Sequence, residues 1–335
     1  MASDGVQGLS WTGGRDVVAA TVDPPSPEDG WSLVEMAYVG LCGTDLHICA
    51  GEHPRARPGL VIGHEVVGRL MESTPALPAG APVFVNPLLP CATCRLCRMG
   101  RPNVCEHLGF LGIDRNGGAA ELFLAPTEQL VALPSSLELR LAALVEPVAV
   151  AVHAVHRGGP VSGRRVHVLG AGPIGLLVAS CAQLAGASAV SISEPAPERA
   201  AAVTALGFDL AAATRTATPS VEDRADVVFD CTGHPAASPS VLRWAATGGT
   251  VVTVGSYPGV VGLDLQDVMF RELTVIGTRA YTPGDVAEAV ALLGQGAIDA
   301  SRFISDVMAL TDGAVAIERL RAGGGLKVLL QGPAT

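Results

Sequence analysis

The chain reads as an α/β protein in two parts: an irregular β domain carrying metal-ligand residues, and a doubly wound parallel sheet suited to a nucleotide. Three observations predict this. Short β-like runs broken by Gly and Pro occupy the N-terminal part, as in Val22-Asp23-Pro24-Pro25-Ser26-Pro27. Strands and helices then alternate between Arg165 and Ile276, the signature of a parallel sheet. Clusters of Cys, His and Glu stand at metal-ligand spacings in the first part.

Taken in order, residues 31–39 and 66–71 have strand character, and residues 117–123 read as a turn entering another strand. The Ala/Val/Leu-rich stretch 139–155 reads as helices interrupted at Glu146-Pro147. Strands are expected at 165–169, 189–193, 226–229, 250–254 and 273–276, with helices at 174–185, 197–206 and around 240–246. The tail predicts a helix over 284–293 and a last strand at 327–330.

Composition narrows the function. A chain of 335 residues suggests two domains, and with 49% apolar and only 16% charged residues it has material for real cores. The net charge of −10 argues against a nucleic-acid or anionic-membrane surface. Nearly all basic residues are arginine, and Lys327 is the sole lysine, which reads as nucleotide-composition bias. Neither a basic-then-apolar leader nor an apolar run of about 18 residues is visible, so the expected compartment is the cytoplasm. Of eight cysteines, four crowd into one short stretch, which points to metal and not to disulfides.

Three motifs carry chemistry. Cys42-Gly43-Thr44-Asp45-Leu46-His47 and Gly63-His64-Glu65 bring together a thiolate, imidazoles and carboxylates, first-choice ligands of a zinc that keeps one position open for catalysis. Cys91-x2-Cys94-x2-Cys97-x7-Cys105 lets one loop wrap a metal tetrahedrally, a closed structural zinc. The rival iron–sulfur spacing has a last gap of three followed by proline, whereas here Glu106 follows a longer gap. Gly170-Ala171-Gly172-Pro173-Ile174-Gly175 follows a strand and opens a helix, and Glu194 ends the next strand. Such a turn holds a pyrophosphate, and a carboxylate at that place binds ribose hydroxyls and repels a 2′-phosphate, favouring NAD over NADP. Arg199 nearby could accommodate a phosphate or line the adenosine pocket. Val254-Gly255-Ser256 ends a further strand and is expected at the nicotinamide end.

These features together resemble the zinc-dependent medium-chain alcohol and polyol dehydrogenases. The resemblance implies a GroES-like irregular β-barrel catalytic domain (1–148 and 279–335, with the zinc lobe at 86–108) and a Rossmann cofactor domain (149–278). It implies active sites between the domains, two zinc ions per subunit, and homodimers or homotetramers. Leu144-Val145-Glu146-Pro147 is similar to the Glu-Pro segment of sorbitol and butanediol dehydrogenases, whereas Ile48 departs from the tyrosine common in polyol members. On this resemblance Cys42 and His64 hold the catalytic zinc, with Glu65 or Glu146 as third ligand. Thr44, His47 and Glu65 are the expected catalytic groups: Thr44 takes the alcohol proton and His47 passes it to solvent. Thr278 and Arg279 join the cofactor-binding residues. The expected reaction moves a hydride between NAD and a secondary alcohol or polyol, giving the ketone. An NADP-linked ketone reductase is the alternative within the enzymes, and a non-catalytic dinucleotide-binding protein the alternative outside them.

Overall fold

The computed structural model describes residues 5–211, 219–323 and 325–332. The chain forms two compact units, Met1–Glu146 with Val290–Thr335, and Pro147–Ala289.

The first unit is built on a seven-stranded sheet. Its long central strand Trp31–Gly40 alternates half-buried and buried residues and pairs antiparallel with Glu65–Leu70 on one side. On the other side it pairs with Lys327–Gln331 near its C-terminal end and with Leu122–Pro126 near its N-terminal end. Pro82–Val85 and Leu130–Ala132 extend the sheet beyond Glu65–Leu70. A hairpin of Val6–Gly13 and Asp16–Val22, with the short strand Leu60–Val61, makes a second sheet. Leu9, Val34, Met36, Val39, Ile48 and Ile62 are among the fully buried side chains between them. Such removal of apolar surface from water, at about 25 cal/mol per Å², is the main driving force for the layer arrangement.

The second unit is a six-stranded, all-parallel sheet. From one edge its order is Asp209–Ala211, Ala189–Ser193, Arg165–Leu169, Ala225–Asp230, Ala245–Thr253, Thr274–Gly277. In chain order that is 3-2-1-4-5-6, so the direction of winding reverses between the first and fourth strands and a crevice opens at their C-terminal ends.

Three local expectations differ from what forms. The 139–155 stretch does form two helices, Leu139–Ala142 and Val145–Arg157, but the break falls at residues 143–144, so Glu146-Pro147 stands in the first turn of the second helix. Proline is tolerated in a first turn, where its missing N–H has no intrahelical partner in any case. The helix expected around 240–246 is only Ser238–Val241 and one tight turn, Leu242–Trp244, and Ala245 already begins a strand. Two strands, Asp209–Ala211 and Ile304–Ala309, lack an alternating apolar pattern and gave no signal.

Asp285 ties two helices of the second unit. Its buried carboxylate accepts from His153 Nδ1 at 2.8 Å and His156 Nδ1 at 2.7 Å, and from the Thr282 N–H and hydroxyl at 2.7 Å each. Burial alone would raise its pKa, but the donors from His153, Thr282 and His156 outweigh it and hold the carboxyl well below the usual range. A depressed folded-state pKa stabilises above the unfolded value of about 4 and loses that stability as pH falls through the folded value. Asp285→Asn should therefore cost about 1–3 kcal/mol at neutral pH. It should also flatten the acid limb of a stability–pH curve measured by urea unfolding.

Candidate functional site

Cys42 stands at the N-cap of the helix Gly43–Cys49, in extended conformation, and Asp45 returns its carboxylate to the Cys42 N–H at 2.8 Å. That reciprocal cap fixes where the thiol points. His64 precedes the strand Glu65–Leu70, and the Cys42, His64 and Glu65 donor atoms all lie within 4.8 Å of one another. Glu146 is buried, lies outside that group of three, and is near enough for its charge to act on both His64 and Lys327.

The electrostatics of this pocket favour a cation. Burial penalises a charge on His64, yet the negative groups Asp45, Cys42 and Glu146 outweigh it and raise the imidazole to about 10. His64 Nδ1 and Asp45 Oδ1 are both buried without a hydrogen-bond partner, 3.7 Å apart. Soft and borderline donors converging around orphaned polar atoms fit a zinc ion, with Asp45 behind His64 as the group that orients the imidazole.

Lys327, which the sequence motifs do not include, completes the pocket. Its buried ammonium donates to both Glu65 oxygens at 2.7 Å and to the Leu41 carbonyl at 3.2 Å. Glu65 and Lys327 reach each other because Gly40 lies between their strands without a side chain. A Cβ there would stand 2.1 Å from Glu65 Oε2. The signal was present as the only lysine of the chain, falling in an apolar strand.

Around the same helix, Thr44 Oγ1 lies 3.9 Å from Cys42 Sγ. His47 is more than half exposed and pairs through Nδ1 with Glu52 at 3.0 Å. In the cysteine lobe the Cys91, Cys94, Cys97 and Cys105 sulfurs lie within 4.8 Å of one another. Backbone N–H groups of Cys91, Cys94, Cys97 and His107 donate to sulfurs of this set at 3.3–3.4 Å. The Thr93 hydroxyl and nearby backbone donors lower the Cys91 thiol to about 6. Four sulfurs so placed fit a closed structural metal.

In the second unit Gly170 has φ +95°, which turns the chain out of the strand Arg165–Leu169. Gly172 is the N-cap of the helix Pro173–Leu184 with open space where a Cβ would be, and a Cβ on Gly175 would strike the Gly170 carbonyl at 1.9 Å. Pro173 and Ile174 fill the helix's first turn. Glu194 Oε2 accepts the Ala171 N–H at 2.8 Å and Oε1 the Ala196 N–H at 2.9 Å, with Arg199 4.0 Å away. The carboxylate is thus anchored on the glycine-rich turn itself. A cavity of about 450 Å³ is lined by Gly170, Gly172, Glu194, Arg199, Thr232 and Trp244, among others. Trp244, unassigned from sequence, stacks on buried His167 with ring centres 3.7 Å apart. Val254, Gly255, Ser256, Thr278 and Arg279 are not among the residues lining this cavity. Val254 and Gly255 donate to the Asp230 carbonyl, and Thr278 donates to that of Thr253.

Comparison with known proteins agrees with both units. Residues 28–135 match the alcohol dehydrogenase GroES-like domain, and residues 173–295 match the zinc-binding dehydrogenase domain. The chain is 35% identical over 297 residues to a 2-dehydro-3-deoxy-L-galactonate 5-dehydrogenase of Pseudoalteromonas atlantica, covering 86% of this chain and 87% of that one. Among solved structures it is similar to one described as a zinc-binding dehydrogenase, from Sinorhizobium meliloti and bound to NADP. The identity is 31% and the TM-score 0.91, over 98% of this chain and 100% of that one. It is also similar to L-idonate 5-dehydrogenase of Escherichia coli, with 27% identity and a TM-score of 0.89 over 97% of this chain and 98% of that one.

Removing one partner of a buried ion pair strands the other charge. Lys327→Met should destabilise the protein by about 3–5 kcal/mol. Adding Glu65→Gln to that variant should recover much of the loss, as thermal unfolding of the single and double variants would read.

Proposed function

The chain belongs to the zinc-dependent medium-chain dehydrogenase/reductase family, and we propose that it transfers a hydride between NAD(H) and a secondary alcohol of a polyol or sugar-like substrate and its ketone. The observation that carries this reading is the convergence of Cys42, His64 and Glu65 in a chain whose other unit holds the Gly170–Gly175 turn. A zinc ion in the first pocket supplies Lewis acidity, which makes a hydroxyl a stronger acid. The dinucleotide supplies the hydride acceptor.

The protein's own groups do the rest. Cys42 and His64 hold the metal. Glu65 is the third donor within reach, with Glu146 as the alternative, and Lys327, donating to both Glu65 oxygens, holds it in place. Thr44 accepts the substrate proton, since a hydroxyl can accept one proton while giving up its own. His47, exposed and braced by Glu52, passes it to solvent. Cys91, Cys94, Cys97 and Cys105 hold the second, structural zinc.

Glu194, held by two backbone N–H groups beside the glycine-rich turn, supports NAD, because a 2′-phosphate would meet its negative charge. Gly170, Gly172, Pro173, Ile174 and Gly175 take the pyrophosphate. Val254, Gly255, Ser256, Thr278 and Arg279 take the nicotinamide end. Arg199, exposed and close to Glu194, favours the second reading, an NADP-linked reductase. The polyhydroxylated sugar acids in the relatives' names support a substrate of that general kind. A homodimer or homotetramer is supported by exposed apolar residues at the sheet edge Thr274–Gly277 (Val275) and on the helix Leu265–Phe270 before it (Leu265, Met269 and Phe270). Among the described residues no helix is long and apolar enough to cross a membrane.

Two variants test the roles. Purified protein should contain two zinc ions per subunit, matching its two donor groups. Cys42→Ser should retain one and lose nearly all NAD-dependent alcohol oxidation, by metal analysis and NADH absorbance. His47→Gln should slow turnover about 10²-fold at low pH and much less at high pH, where hydroxide can take the proton directly. A pH profile parallel to the wild type would remove His47 from the relay.

A further inference from the structure

Trp244 is the largest side chain lining the cavity beside the glycine-rich turn. It closes the tight turn Leu242–Trp244 and leads into the strand Ala245–Thr253, whose far end pairs with Asp230 at the mouth of the crevice. One face of the indole is covered by His167, with ring centres 3.7 Å apart and planes 9° from parallel. In the parallel pairing of their strands His167 stands opposite Ser191, and Leu169 opposite Ser193. Side chains two places apart share a face of a strand. His167 and Ser191 therefore lie one layer beneath Leu169 and Ser193, both of which line the cavity. Trp244, stacked at the level of His167, forms the cavity floor.

Only 6% of Trp244 is exposed, yet among the described residues its indole N–H has no hydrogen-bond partner. Nor is that nitrogen among the polar atoms sealed inside the protein, so it opens where the residue opens, on the cavity. A buried indole usually finds an acceptor. Here the neighbouring polar groups are spent on one another. The His167 nitrogens pair with the Ser191 hydroxyl at 2.8 Å and the Ser193 hydroxyl at 3.0 Å, and the Ser240 hydroxyl donates to the Ala237 carbonyl at 2.7 Å. Burial pushes His167 down to about 3. The imidazole is thus neutral near pH 7, with one nitrogen donating and the other accepting, which fixes its plane at both ends. The ring in turn fixes the indole. The floor is a flat apolar surface with one free donor and little rotamer freedom left to lose.

We propose that Trp244, positioned by His167, is the base-recognition residue of the nucleotide site: a purine packs on the open part of the indole, and one of its ring nitrogens accepts the indole N–H. On the dinucleotide reading, on which this rests, the Gly170–Gly175 turn takes the pyrophosphate and Glu194 the ribose, and the base has no partner. Trp244 supplies one, of a kind that suits a flat ring with acceptor nitrogens at its edge.

AMP and CMP are the probes, because they share ribose and phosphate, differ in the base and carry no nicotinamide. In calorimetry on the zinc-loaded full chain, the wild type should bind AMP about 10-fold more tightly than CMP, since the two-ring base reaches the floor. Trp244→Leu should weaken AMP binding about 20-fold and leave CMP nearly unchanged, which also shows that the variant is folded. Trp244→Phe keeps a ring on His167 and loses the donor, so it should weaken AMP about 5-fold. AMP should change the tryptophan emission of the wild type and not that of Trp244→Phe, whose remaining Trp11 and Trp31 belong to the other unit. His167→Leu should weaken AMP binding in the wild type and add nothing in the Trp244→Leu background, as a residue acting through the indole does. Equal losses for AMP and CMP, an AMP preference that survives Trp244→Leu, or an emission response that survives Trp244→Phe would overturn the assignment. Additive losses for the double variant would remove His167 from it. Binding of NADH and NADPH, read from their own fluorescence, separates the two levels. A wild type that binds either dinucleotide without preferring AMP to CMP sinks only the role of Trp244. A wild type that binds neither dinucleotide sinks the dinucleotide reading and this assignment with it.

Discussion

The ammonium of Lys327 and the carboxylate of Glu65 meet in the interior of the first unit, 262 residues apart in sequence and 2.7 Å apart in space. Burying either charge alone would cost several kcal/mol. Their attraction offsets that cost only where both oxygens and the ammonium are satisfied, and they are, with the Leu41 carbonyl as third acceptor. The strand Trp31–Gly40 runs between the strands that carry them, so the pair reports that all three strands are in register. A one-residue slip would turn Glu65 to the other face of the sheet and dismantle the ligand group with it. The convergence of Cys42, His64 and Glu65 therefore depends on an ion pair whose other member, Lys327, lies outside that group.

The second unit places its chemistry by topology. Its strand order reverses between Arg165–Leu169 and Ala225–Asp230, and the glycine-rich turn and Thr232 lie at the ends of those two strands. Glu194, at the end of the neighbouring strand, is anchored on the Ala171 and Ala196 N–H groups. That anchoring makes the carboxylate part of the turn's own architecture as well as a ligand-facing charge. Trp244 also lines that cavity, held flat against a buried His167 whose two nitrogens pair with Ser191 and Ser193.

Legibility followed sequence distance. Cys42 to His47, the Gly63-His64-Glu65 triplet, the four-cysteine loop and the Gly170 turn are each formed by residues close in the chain. Their spacing encodes their geometry, and the chemistry of zinc or phosphate limits what such spacing can mean. The parallel sheet was legible because its central strands, Arg165–Leu169 and Ala225–Asp230, are buried on both faces and rich in apolar residues. Asp209–Ala211, at the sheet's edge, is too short and too exposed for such a pattern. The break before the helix Val145–Arg157 lies at residues 143–144 and not at Glu146-Pro147, because a proline breaks a helix interior but suits a first turn, and which applies depends on where the helix begins.

The sequence by itself determined the two-part architecture, the family resemblance and the local motifs, since these are written in short-range spacing and periodicity. The tertiary structure decided what stands beside them. It set Lys327 against Glu65, and Trp244 against His167 at the cavity beside the glycine-rich turn. Each of these neighbours is brought near by strand pairing or loop packing between distant stretches. A lone lysine or tryptophan carries no spacing from which such a contact could be inferred.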